Sequence, residues 1–166
     1  MVPPASTVAA TEARPDFIPA EVRRDLEKSA RTKFGAALTD QALAAPTFLL
    51  AKHYMGLPPP AILQPDGTYS FAEPPMSMLI RRDGQWLAAR AGLGFVPVAA
   101  EKASAIDLLL RNDRLWSEPD HGRPTCTDAG ASLLWLRTAG RRAVTRKGAC
   151  GATQLTEKLV LQALET

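Results

Sequence analysis

Two stretches of this chain, Ser77–Trp86 and Ser132–Arg141, follow one plan: an apolar run, a tight turn and the start of a returning strand. Leu87–Arg90 continues the first return and Arg142–Arg146 the second. A helical stretch follows each hairpin. Val98–Arg111 places Ala103, Ile106, Leu109 and Leu110 on one side, and Thr153–Leu164 does the same with Leu155, Leu159, Val160, Ala163 and Leu164. Thr153 stands where a helix N-cap is expected. The order ββα–ββα predicts an α+β fold with a mainly antiparallel sheet and helices on one face. The two units are either a duplication or the ordinary likeness of any two hairpins.

Helical segments precede this part. From Pro19, a residue suited to a first helical turn, Val22, Leu26, Ala30 and Phe34 recur every four residues, with Arg23, Arg24, Glu27, Lys28 and Arg31 facing out. This amphipathic helix ends near Gly35. A second helical stretch is expected over Thr39–Ala45 and, past Pro46, over Thr47–Met55, stopped by Gly56 and Pro58–Pro60. Ile62–Gln64 and Thr68–Phe71 read as a short hairpin about Pro65-Asp66-Gly67, because Asp-Gly tolerates the positive φ of a tight turn. The organisation expected is a disordered tail over 1–16, a helical segment over 17–60 and a sheet domain over 61–166, the last two forming one compact unit. A chain of 166 residues is long enough to bury a sizeable core without a metal.

No apolar run approaches the length a membrane span needs. The N-terminus shows no charged n-region followed by an apolar h-region, so an exported chain would be one whose leader has been removed. Cys126 and Cys150 carry the compartment argument. They flank the second hairpin, whose turn centres near Ala139–Gly140, and antiparallel pairing would draw its two feet together. A disulfide there would stabilise the fold by roughly 3 kcal/mol in the chain-entropy model. It would also place the protein in a periplasm or outside the cell. Two unrelated buried thiols, and a cytoplasmic protein, are the alternative.

No reaction is named by the sequence. It contains no G-x-S-x-G, no G-x-G-x-x-G, no Walker-type loop and no C-x-x-C. His121, Cys126, Asp128 and Cys150 are zinc-ligand types, but their spacing matches no finger or ribbon, and neither metal nor cofactor is expected. His53, read at a helix end, would interact with the C-terminal dipole. Glu118 and Asp120 flank Pro119 as loop acids.

The strongest polar feature is a run of five cations without an acid between Ala131 and Cys150: Arg137, Arg141, Arg142, Arg146 and Lys147. They would contact an anion or an acidic partner, or would guard an exposed edge against aggregation. A net charge of +3 falls short of a nucleic-acid signature, and aromatics beside the cations are few. Trp116, in a loop after a helix, is expected to cap the core or to serve as an exposed interaction anchor. These features together point to a non-enzymatic, extracytoplasmic module binding a protein or small ligand. The rival is a cytosolic anion- or nucleic-acid-binding domain using the cationic hairpin 137–147.

Overall fold

Phe48–Tyr54 is a β-strand, and the rest of the protein is arranged about it. The computed structural model describes residues 18–54, 61–118, 130–148 and 153–166, with only the backbone of Arg142. Along the chain these form α1 (Pro19–Phe34), α2 (Ala36–Ala44), β1 (Phe48–Tyr54), β2 (Ala61–Leu63), β3 (Tyr69–Phe71), β4 (Met76–Arg82), β5 (Gln85–Arg90) and β6 (Gly94–Pro97). Then follow α3 (Ala100–Leu110), α4 (Asp113–Ser117), β7 (Ala131–Thr138), β8 (Arg141–Gly148) and α5 (Gln154–Leu164). The fold is α+β.

The main sheet has six antiparallel strands in the order β6-β5-β4-β1-β7-β8. Each hairpin read from the sequence lends its first strand to one side of β1: Leu49 pairs with Leu79 of β4 and with Leu136 of β7. The helix expected over Thr47–Met55 is therefore the central strand instead. Its residues Phe48, Leu49, Leu50 and Ala51 are all buried, because both faces of the sheet are covered. Such a strand reads as a continuous apolar run, and without alternation it resembles a buried helix segment.

Two cores result. Phe48 and Leu50 face α1 and α2, joining Val22, Leu26, Ala30, Phe34, Met78 and Ile80. Leu49 and Ala51 face the other way, joining Leu79, Trp86, Leu134 and Leu136 with Ile106 of α3, Leu115 of α4 and Leu159, Val160 and Ala163 of α5. Helices thus cover both faces, correcting the expectation of one covered face. The simple ββα–ββα order is likewise not what is found. β6 follows the first hairpin and α4 follows α3, so the first unit carries a third strand and a second helix.

Local chemistry accounts for the parts that match. The β4–β5 turn puts Asp83 at φ 52° and Gly84 at φ 75°, the pair of positive angles a two-residue hairpin of right-handed twist requires. β6 ends in Pro97 at the margin of the sheet, where a missing N–H costs no ladder bond. β2 and β3 form a separate two-stranded ribbon. No described helix is long and apolar enough to cross a membrane.

Candidate functional site

The arginine–tryptophan cleft lies where α3 and α4 meet the β4 and β7–β8 ends of the sheet. Arg81, Asp107, Leu110, Arg111, Trp116, Thr138 and Arg141 line a volume of about 380 Å³. Each wall has a structural reason. The Asp107 carboxylate, held on α3, accepts the indole N–H of the buried Trp86 at 2.9 Å and a guanidinium N–H of Arg81 at 3.2 Å. The Arg81 guanidinium carbon stands 5.8 Å from the Trp86 ring centroid. Opposite, Trp116 is half-buried against the core, and its indole N–H donates to the Leu110 carbonyl at 2.9 Å. Arg141 lies over that ring at 5.1 Å and donates to Asp113 at 2.8 Å. Two guanidinium groups are thus each held over an indole, an arrangement that attracts a cation to the ring's negative face.

The five hairpin cations are not brought to one surface. Arg137 turns toward the α1–α2 side, donates to the carbonyls of Leu43 and Ala45 at 2.6 and 2.7 Å, and lies 4.6 Å from the Phe48 ring centroid, closing the end of α2. Arg146 points to the opposite face, is 4% exposed and donates to the Trp116 carbonyl at 2.7 Å. Arg141 belongs to the cleft. Lys147 lines a second cleft, of about 370 Å³, with Asp25, Tyr54 and Leu133. The Arg142 side chain lies outside the described residues. Alternation along a strand separates neighbours in sequence onto opposite faces, so a charge run need not make a patch.

Beside the second cleft is a polar network. Lys52, 5% exposed on β1, donates to Asp25 at 2.8 Å and to Ser29 at 2.7 Å, while the Tyr54 hydroxyl donates to Asp25 at 2.6 Å. Burial pushes the Asp25 carboxyl up, but hydrogen bonds from Lys52 and Tyr54 and the Lys52 charge outweigh it, leaving the group below its ordinary range. Burial likewise pushes Lys52 down, and Asp25 and Tyr54 reverse the sign, so the ammonium is held more tightly than usual. Tyr54 is pushed up by burial and by the Asp25 carboxylate. Every group here is matched by another, so the network is a structural tie between α1 and β1.

His53 stands on β1, not at a helix end, and its Nδ1 lies 3.0 Å from Ser132 Oγ, with Ser132 fully buried. Glu118 lies just past α4, outside any helix or strand as expected, and it also caps α5. Its carboxylate accepts the backbone N–H groups of Leu155 and Thr156 at 2.7 and 2.9 Å. Thr153, at the N-cap position, makes no side-chain capping bond. The tail 1–16, Pro58–Pro60, Asp120, His121, Cys126, Asp128 and Cys150 lie outside the described residues. Among the described residues no group of three or more His, Cys, Asp or Glu is placed to hold a metal ion.

The β2–β3 ribbon is the short hairpin expected about Pro65-Asp66-Gly67, but its exposed apolar face was not foreseen. Ala61 pairs with Phe71 and Leu63 with Tyr69, so these four side chains share one face. Leu63, Tyr69 and Phe71 are 62, 67 and 63% exposed. In comparisons with protein-family models, curated proteins and solved structures, nothing matches this chain.

Proposed function

We propose that this chain is a non-enzymatic, extracytoplasmic module that binds a protein, and that the β2–β3 ribbon is its contact surface. The observation that carries the reading is the exposed face of Leu63, Tyr69 and Phe71. A two-stranded ribbon is marginal alone in water, and a partner covering its apolar face would supply what the six-stranded sheet does not. Each large side chain so covered adds roughly 1.5–3 kcal/mol. Aromatic side chains are the residues that dominate such contacts. The charge of the segment defines the partner further. No lysine or arginine occurs between Lys52 and Arg81, whereas Asp66 and Glu73 do, so the complementary surface is apolar with basic residues at its rim.

The compartment rests on the two cysteines. Ser132, six residues after Cys126, pairs with Gly148, two residues before Cys150, and this closed hairpin base supports the reading of a disulfide between its flanks. The reading of hairpin 137–147 as a nucleic-acid surface has less support, because Arg137 and Arg146 are spent on protein carbonyls on opposite faces.

The test is photo-crosslinking from position 69 in the full chain, with position 24 on α1 as control. A protein trapped at 69 and not at 24, which then binds the purified chain and loses at least tenfold affinity for the L63S/F71S double variant, is expected. Crosslinks at both positions alike, or undiminished binding by the double variant, would overturn the proposal.

A further inference from the structure

The geometry points to the Arg81–Arg111–Arg141 cleft as a site for a small molecule bearing a phosphate monoester, separate from the ribbon and independent of it. Three arginines and one aspartate line the cleft, leaving an excess of positive charge that a dianion would match. A phosphate monoester carries about −1.5 to −2 at neutral pH and offers three strong acceptor oxygens. Guanidinium forks are the donors best shaped to receive them.

The site is also preorganised. Arg81 is fixed by Asp107 and lies over Trp86, while Arg141 lies over Trp116, whose own indole is anchored to Leu110. The acid paired with Arg141 is Asp113, whose side chain is 87% exposed and which stands outside the cleft lining. Such a surface pair contributes little and exchanges cheaply for a better acceptor. Arg111, exposed on the rim of α3, supplies the third cation. The Trp116 ring and the Leu110 side chain form an apolar wall for the organic part of the ligand. A volume of about 380 Å³ suits a small molecule.

Trp116 makes the test direct, since Trp86 is buried and Trp135 belongs to the opposite face. Tryptophan emission of the intact protein is titrated at constant ionic strength with inorganic phosphate, butyl phosphate, succinate and chloride. Saturable changes are expected with both phosphates, tighter for butyl phosphate, strengthening between pH 5.5 and 7.5 as the dianion forms. R141Q and R111Q should each weaken binding about tenfold, with an unchanged urea midpoint. R24Q, on the far side, should bind as the parent does, and W116F should lose the signal while calorimetry still detects binding. A response to chloride equal to that of phosphate, succinate binding more tightly than either phosphate, or unchanged affinity in both R141Q and R111Q would overturn the assignment.

Discussion

Glu118 and Thr156 are joined twice: the Glu118 carboxylate accepts the Thr156 backbone N–H at 2.9 Å and its hydroxyl at 2.7 Å. A residue at the end of α4 thereby satisfies the orphan N–H groups of a helix that begins well after it in the chain. Removing the carboxylate in E118A should lower stability by about 1 kcal/mol, the usual worth of a helix cap. E118Q, which keeps one acceptor, should recover part of the loss. Urea unfolding of the two variants checks this. Equal stability of E118A and the parent would mean that α5 is capped otherwise.

β1 holds the two cores together, so a cavity in it should be felt throughout. Leu49 is fully buried among Leu79, Leu134 and Leu136. L49A is expected to cost about 3 kcal/mol, the lost transfer energy plus the cavity. L108A on α3, where Leu108 is 69% exposed, should change stability by less than about 0.5 kcal/mol. Equilibrium unfolding measures both. In amide exchange, β1 should stand among the slowest segments, because it has strands on both sides and helices over both faces.

The Asp25–Lys52–Tyr54 network gives stability two pH limits. The Asp25 carboxyl is held below its ordinary value of 3.8, so its contribution is complete above that value and is lost as pH falls through the lower folded-state value. Lys52 is held above its ordinary 10.5 and Tyr54 above 10.0. Their contributions are complete below those values and fade as pH rises through the folded-state ones. Unfolding midpoints followed across pH should therefore decline at both ends in the parent. The acid decline should shrink in D25N, and the alkaline one in K52M. At pH 7, K52M should cost about 2 kcal/mol through the lost charged hydrogen bonds.

The cysteine pair is checked by intact mass. Denatured protein taken from its native setting and alkylated without reduction should carry no label, and after reduction it should carry two, one for each cysteine present. Two labels without reduction would remove the disulfide and the extracytoplasmic assignment with it.

Much of the local structure was legible. The four-residue spacing of Val22, Leu26, Ala30 and Phe34 marks the buried stripe of α1, and all four are buried. The Asp83-Gly84 turn and the apolar stripe of α5 were equally readable. β1 was not, because a strand buried on both faces loses the alternation that distinguishes strand from helix. The β6 strand was hidden by its glycine and proline. As for the cleft, Trp116 and Arg141 are visible as an aromatic and a cation in the sequence. Their meeting, and the arrival of Arg81, Arg111 and Asp107 beside them, comes from packing α3 and α4 against the sheet. The exposed ribbon was legible as a hairpin, but not as one left without cover.

By itself the sequence determined the short-range features: helix stripes, tight turns, hairpin pairing and the absence of cations between Lys52 and Arg81. These depend on neighbours a few residues apart, whose relation is set by backbone periodicity. Only the tertiary structure decided which strand is central, that helices cover both faces, that Glu118 caps α5 and that the hairpin cations part company. Those outcomes depend on which apolar faces find each other across the chain, and no local spacing encodes that choice.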